Sequence, residues 1–511
     1  MSDTERGLNR REFLSALFAA VGGALSWSPS FGGPGGRRGS LLKIRLEAHP
    51  DEVSLFPGAL TRVLRYYGEV LEGDPRRLRH LEGSYLGPLL YLRTGERLEV
   101  LFKNELMDPT TVHWHGVNVP ERMDGHPRFS VEPFEEYRYA FEVINRAGTY
   151  WYHPHAHMLS GEQAYFGLAG GILIEDDVEA SLPLPRGEQD VLLVVQDRKF
   201  DDNNQLLYFR MLGHHGMLGD KILINGYPDF VLPVATRVYR LRVLNGSNAR
   251  IYKLAWEDGL PFTVIGTDGG LLERPVVKPY VMLAPGERVE LWEDFRPFSV
   301  GTVRNLVSAE WRGSAVNFGD PPGVPPQGAP MEVMSFYVER KDWDNLILPG
   351  FLRPLEGYRW QDARNLKSPR LFEFRWEGEW TINGRVFEMR DVALEERVPW
   401  NQIEVVQFRN DVGDRLMAHP LHFHGPMFQV GERQVDPRYR DGWESVREGY
   451  VDSGWKDTLL LMPGESVRLL FKWGPYPGLY LYHCHNLEHE DMGMMRNYLI
   501  GPTLTSGIGI G

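Results

Sequence analysis

Cysteine is almost absent from this chain: Cys484 is the only one among 511 residues. No intramolecular disulfide can form, so the cysteine content is silent about an oxidising compartment. An excess of basic charge is missing as well. Against 69 Asp and Glu stand 56 Lys and Arg, for a formal net charge of −13, which favours solubility and excludes the electrostatic footprint of a nucleic-acid binder. No apolar run reaches the length of about 20 residues that a spanning helix needs; the one at residues 13–25 has thirteen. Long amphipathic helical patterns are absent too.

What is present reads as strands. At 42% hydrophobic content the chain can bury more than one core, and ordinary domain sizes point to about three units. Short runs rich in Val, Ile, Leu, Tyr and Phe, at residues 97–102, 191–195, 238–243 and 466–471, are broken by Gly, Pro, Asn and Asp. This spacing predicts an all-β protein of sandwiches or barrels rather than βαβ units. Ahead of the runs, Asn9-Arg10-Arg11-Glu12-Phe13-Leu14, the short apolar run and a Gly/Pro/Ser stretch at residues 26–40 resemble a twin-arginine signal peptide with its linker. That resemblance implies export to the periplasm or beyond.

Two elements occur twice, in the same order. His113-Trp114-His115-Gly116 matches His422-Phe423-His424-Gly425, and Gly148-Thr149-Tyr150-Trp151-Tyr152-His153-Pro154-His155 matches Gly478-Leu479-Tyr480-Leu481-Tyr482-His483-Cys484-His485. Such repetition predicts that the first and last units are copies of one module. The middle carries neither element, although Ile224-Asn225-Gly226 recurs as Ile382-Asn383-Gly384. The predicted division is a leader at 1–40, a first domain at 41–177, a His-poor second domain at 188–345 and a third domain at 366–511.

In a strand, successive side chains face opposite sides, so each of the pairs His113/His115, His153/His155, His422/His424 and His483/His485 can present both rings on one face, roughly 7 Å apart. Eight imidazoles on two facing modules can enclose a cluster and divide among three metal ions as two, three and three. The same alternation turns Cys484 the other way, where His419 and His489 would complete a trigonal His₂Cys set with Met494 as a long axial ligand. Soft thiolate, thioether and neutral imidazole suit copper, and this set suits an electron-transfer copper. The order His483-Cys484-His485 then wires one site to the other through the backbone. Zinc fits less well, because closed zinc sites gather four ligands in one cluster.

These four elements resemble the multicopper oxidase family of laccases, cuprous oxidases and their relatives, over nearly all of the chain after the leader. The resemblance implies three cupredoxin-like Greek-key β-sandwich or barrel domains and four coppers. It places the type 2 copper on His113 and His422, the type 3 pair on His115, His153, His155, His424, His483 and His485, and the type 1 copper on His419, Cys484, His489 and Met494. His157 competes with His153, though the repeat spacing favours His153. Asp124 and Glu490 stand where the family has acidic groups that deliver protons to the cluster. Gly161-Glu162-Gln163 and Trp455-Lys456-Asp457-Thr458 also look like the bacterial members. His214 and His215 read as an exposed loop, and the charged segment 432–452 either overlies the type 1 site or is a solvated insertion.

The implied partners are O2 and a small electron donor, with no nucleic acid, and the chain is expected to be a monomer. The methionine-rich insert of dedicated cuprous oxidases is missing, which favours a laccase-like oxidase of phenols and aromatic amines. Met417 resembles a feature of copper-tolerance relatives, although Arg415 stands where those carry an acid, so oxidation of Cu(I) or Fe(II) is the alternative. Some exported cell-division proteins share the fold without the ligands and act as scaffolds; here all twelve ligand positions are filled. Because an axial thioether lowers the potential relative to an apolar axial residue, Met494→Leu is expected to raise the reduction potential of the blue site. An unchanged potential in a redox titration would remove Met494 from the ligand set.

Overall fold

The structure, a computed structural model, describes residues 39–209, 215–314, 323–411 and 416–502. The twin-arginine segment up to residue 38, Met211, His214 and Arg415 lie outside the described residues. Strand periodicity builds what remains. In Leu41–Val53, Leu42, Ile44, Leu46 and Ala48 are buried while the residues between them are not, the two-residue period of a sheet with one face on a core. The four expected runs lie within the strands Arg97–Asn104, Asp190–Arg198, Val238–Asn245 and Glu465–Lys472. The α-helices among the described residues run only four to six residues.

The strands form three successive cupredoxin-like sandwiches. In the first, a sheet ordered Thr61–Glu72, Leu41–Val53, Arg97–Asn104, Glu136–Glu142 packs on one ordered Leu78–Arg79, Leu89–Arg93, Gly170–Glu175, Gly148–His153, His113–His115. In the last, a six-stranded sheet centred on Ile403–Asn410 and Glu465–Lys472 faces one ordered Arg397–Pro399, Met495–Gly501, Gly478–Cys484, His419–Phe423, Thr458–Leu461. All three units share a topological mark: an opening strand pairs in parallel with a later one, Leu41–Val53 with Arg97–Asn104, Asp190–Arg198 with Val238–Asn245, and Arg370–Trp376 with Ile403–Asn410. The middle unit therefore keeps the module but not its histidines. Where the others carry the H-x-H strand, it carries Tyr252–Trp256, with Tyr252, Leu254 and Trp256 turned into its core. The recurring Asn-Gly pairs are tight hairpin turns, with both residues at positive φ: 52° and 82° at Asn225 and Gly226, 53° and 69° at Asn383 and Gly384.

Each sandwich has its own core, around Trp114 and Tyr150 in the first, Leu241 and Leu291 in the second, and Phe408 and Leu469 in the third. Further clusters cross the joints, with Trp151 beside Leu192 at one and Trp311 beside Val446 and Leu460 at the other. The segment 432–452 belongs to the second joint. Gly442 packs on Gly313, the Ser445 carbonyl accepts from Lys253 Nζ at 2.9 Å, and the Glu448 carbonyl accepts from Lys278 Nζ at 3.0 Å.

Charge also ties the first joint. Glu290, fully buried in the middle unit, accepts from Arg240 at 2.6 Å, from Arg242 at 2.9 Å and from the Thr149 hydroxyl at 2.8 Å. Thr149 lies on the strand that ends in His153, so this network holds the middle unit against a strand that bears a cluster histidine. Arg240 also bonds Glu179 and Arg242 bonds Asp190, so Glu290→Leu leaves buried guanidinium N–H donors unpaired rather than a lone charge and is expected to cost about 1–3 kcal/mol. The check is a clear fall in the thermal unfolding midpoint of the metal-free protein.

Candidate metal centres

Sheet register brings the rings together. His113 pairs across the sheet with His153, and His422 with His483. The first and last units then face each other, stacking His113 on His424 at 3.7 Å and His115 on His422 at 3.8 Å between ring centroids. His155 and His424 direct their Nε2 atoms at His483 Nε2, at 3.3 and 3.2 Å. His485 closes the group, its ring 4.9 Å from that of His115 and 5.2 Å from that of His153. All eight rings are buried. His157, by contrast, is exposed and rests on Phe387, so His153 is the residue that joins the cluster.

Burial of imidazole without a counter-charge keeps it neutral. Burial and then the neighbouring rings hold His113, His115, His155, His422, His424 and His485 well below the usual histidine range; burial chiefly brings His153 down to about 3 and His483 to about 4. A neutral ring has one donor and one acceptor nitrogen. Main-chain carbonyls take the Nδ1 proton of His113 (Asp124, 2.7 Å), His153 (Pro154, 2.9 Å), His422 (Asp457, 2.9 Å) and His483 (Cys484, 3.1 Å). The Nε2 atoms of His113, His153 and His422 are thereby left as lone pairs with no hydrogen-bond partner. His115 is the reverse, its Nε2 held by Asp457 and Thr458 at 3.1 Å each while Nδ1 is unpartnered. Unpaired buried polar atoms are costly, and here they converge: ligand atoms of His113, His115 and His153, of His113, His422 and His424, and of His155, His424 and His483 lie within 4.8 Å of one another.

Two aspartates hold the cluster by the same device. Asp124 receives His113 on its carbonyl and His424 Nδ1 on its carboxylate at 2.7 Å. Asp457 receives His422 on its carbonyl and His115 on its carboxylate. Each aspartate thus grips one ring of its own unit and one of the other. Burial raises the pKa of both carboxyls, but their surroundings differ: Arg288 of the middle unit bonds Asp457 at 2.7 Å and opposes the rise there, while Asp124 is pushed well above the usual range and its Oδ1 has no hydrogen bond. Glu490 lies on the other side, its oxygens 3.4 Å from His155 Nδ1 and 3.2 Å from His483 Nδ1; burial, then Asp491, raises its pKa as well. The middle unit also supplies Gly286, at φ +86°, where a Cβ would fall 3.0 Å from His115 and 3.1 Å from His485.

A second centre lies across the strand. Cys484 Sγ is 3.3 Å from His419 Nδ1 and 3.6 Å from His489 Nδ1, and those two nitrogens are 3.3 Å apart. Burial pushes the Cys484 thiol well up, so a thiolate here requires a cation in contact with it. Met494 is fully buried in the same core, and the chain returns it to Cys484 through the bonds Cys484 N to Met494 O and Met494 N to His489 O. His489 rides on Leu487–Asp491, a helix fixed by the other two units: Glu488 accepts from Asn248 at 2.7 Å and Met217 N at 2.9 Å, and Asp491 from Ser160 N and Gly161 N. His215, expected in an exposed loop, is instead buried, its carbonyl accepting from Asn486. Both centres bring soft or neutral donor atoms together, which fits copper.

Comparison with known proteins agrees. Sequence profiles described as multicopper oxidase match residues 66–179 and 363–503. The chain is 31% identical to the multicopper oxidase mco of Staphylococcus aureus, over 84% of this chain and 85% of that one, and 29% identical to a laccase of Bacillus subtilis, over 88% and 97%. Its fold superposes on the McoA multicopper oxidase of the hyperthermophile Aquifex aeolicus with a TM-score of 0.77 and 32% identity, covering 92% and 99% of the two chains. The chain belongs to the multicopper oxidase family, whose members are copper oxidoreductases that use O2.

Asp457, Thr458 and Arg288 are the residues to which the sequence had assigned no role. Asp457 lay within a motif already noted, Trp455-Lys456-Asp457-Thr458; Arg288 carried no signal, since it sits in the unit that lacks the repeated histidine elements. Partners that orient a metal-bound imidazole are worth about 10- to 100-fold in metal affinity. Asp457→Asn is expected to loosen copper retention at the eight-histidine cluster by that factor, read as copper per chain after dialysis against graded chelator.

Proposed function

We propose that the chain is a laccase-like oxidase, taking single electrons from phenolic or aromatic amine donors and passing them to O2, which leaves as water. The observation that carries this reading is the strand ending His483-Cys484-His485, whose alternation faces a thiol toward His419 and His489 and two imidazoles toward the six others. In this reading His419, Cys484, His489 and Met494 hold the type 1 copper, His113 and His422 the type 2 copper, and His115, His153, His155, His424, His483 and His485 the type 3 pair, four coppers in all. Copper supplies reversible one-electron chemistry, and the protein supplies ligands, burial and protons.

The chain's own residues then divide the work. Cys484 is bonded to both neighbouring histidines through the backbone, giving an electron a covalent route between the sites. All of these ligands are buried, which would keep bulk water away from the coppers they hold. Asp124, with its free Oδ1 beside His113 and His424, and Glu490, between His155 and His483, are placed to hold the protons that water formation consumes. The same reading takes residues 1–40 as a twin-arginine leader, places the protein in the periplasm or outside the cell, and divides the rest at 41–177, 188–345 and 366–511; no helix among the described residues is long and apolar enough to cross a membrane.

A metallo-oxidase is the second reading, favoured by Met492, which is 39% exposed three residues after His489. Oxygen uptake by the copper-loaded protein, offered hydroquinone or Cu(I) with matched blanks, separates them. Faster turnover on the phenol is expected; preference for Cu(I) would establish the metallo-oxidase, and uptake with neither would leave a scaffold. Asp124→Asn is expected to slow oxygen uptake by about 10²-fold or more, as loss of a positioned proton donor does, while the blue absorption stays. Normal turnover in that variant would remove Asp124 from the proton path.

A further inference from the structure

We propose that electrons enter through two tryptophans, Trp376 at the surface and Trp380 beneath it, and that an aromatic donor docks by stacking on Trp376. This rests on the reading of His419, Cys484 and His489 as the electron-accepting copper site and names its entrance. His419, Cys484, His489 and Met494 are all 0% exposed. A donor therefore touches no ligand, and the electron must cross at least one further side chain.

The side chain over the centre is Trp380. Its ring lies 4.6 Å from the His489 ring, tilted by 33°, and 5.0 Å from the His419 ring, so a single indole contacts both imidazoles that flank the thiolate. Trp380 is itself buried. Its cross-strand partner is Trp376: the antiparallel strands Arg370–Trp376 and Trp380–Ile382 pair these two residues directly, and their rings meet edge to face at 4.7 Å. Directly opposed aromatic residues are among the stabilising cross-strand pairs, and this one runs outward, because Trp376 is only half-buried. Two residues earlier on the same strand face, Phe374 packs on His419 at 5.3 Å, which pins the hairpin to the site. The result is a continuous stack of π systems from a partly exposed indole to the two imidazoles.

The ligand class follows from the entrance. A planar, electron-rich ring stacks on an indole with a favourable offset or edge-to-face geometry, and such a ring is also the donor type that yields one electron readily. The balance is simple: a phenol loses one electron through the two indoles to the oxidised centre, its hydroxyl proton goes to water, a phenoxyl radical leaves, and neither indole is changed overall.

The test compares Trp376→Ala and Trp376→Phe with the wild type in the copper-loaded enzyme. Under anaerobic conditions hydroquinone is mixed in and bleaching of the blue absorption is timed, with the midpoint potential measured separately. The Ala variant is expected to bleach about 10- to 100-fold more slowly, the range that lost positioning costs, and the Phe variant to recover part of the rate, with colour and potential unchanged. In copper-free protein, hydroquinone is expected to quench indole fluorescence saturably in the wild type and to lose that component in Trp376→Ala. Bleaching as fast or faster in the Ala variant would overturn the proposal and make Trp376 a cover over the site. A blue wild-type enzyme bleached by Cu(I) but not by hydroquinone would overturn the laccase reading itself.

Discussion

Burying eight imidazoles in one space requires each to be neutral and favours a partner for the donor nitrogen of each. The cost of leaving a buried polar atom unpaired is what makes this a constraint on the whole molecule. Four rings meet it with a main-chain carbonyl next to or near them, and His115 and His424 meet it with a carboxylate from the facing unit. In these six rings the outer nitrogen is taken and the inner one points toward the neighbouring rings, while His485 has no hydrogen bond on either nitrogen. The convergence that a metal needs is thus a by-product of satisfying the other half of those six rings.

That requirement also explains why the units face each other as they do. Asp124 and Asp457 each hold one histidine by carbonyl and reach across the joint to hold another by carboxylate, so neither half of the cluster is orientated without its counterpart. Gly116, in the turn after the first H-x-H, sits at φ +81° with the Asp457 carboxylate where its Cβ would be; the glycine of that motif makes room for the crossing contact. The exchange is close to symmetric in geometry and not in charge. Arg288 comes from the middle unit to Asp457 alone, fixing one aspartate as an ion-paired anchor and leaving the other as the polar group with a spare oxygen. The two halves of the duplicated module thus differ in the Arg288 ion pair that Asp457 receives.

The middle unit, which carries none of the ligands, is therefore part of both centres. It presses Gly286 against two of the rings, sends Arg288 to Asp457, binds the strand of His153 through Glu290 and Thr149, and receives the helix of His489 through Asn248 and Met217. The Cys484 centre depends on the last of these, since His489 is held on a five-residue helix too short to be stable without tertiary contacts. Its outer face is then closed by the hairpin that bears Trp376 and Trp380, which leaves aromatic side chains between solvent and the site.

Periodicity and repetition were enough to read the strands, the all-β class, the duplicated module and the twelve candidate ligands, because a two-residue period is a local property and the lone cysteine has no competitors. The same logic separated the face of Cys484 from that of His483 and His485. Between His153 and His157 the repeat spacing favours His153, which is the ring buried among the others, while His157 is exposed. What a linear reading could not supply were contacts between residues more than a hundred positions apart: Asp457 with His115, Arg288 with Asp457, Trp380 over His489, and the docking of segment 432–452 on the middle unit. The sequence alone determined which atoms are available to hold metal, since residue type and alternation are written in order along the chain. Only the tertiary structure decided which nitrogen of each ring is free, which acid is paired and what covers the thiolate, because those depend on groups that burial brings together from separate sandwiches.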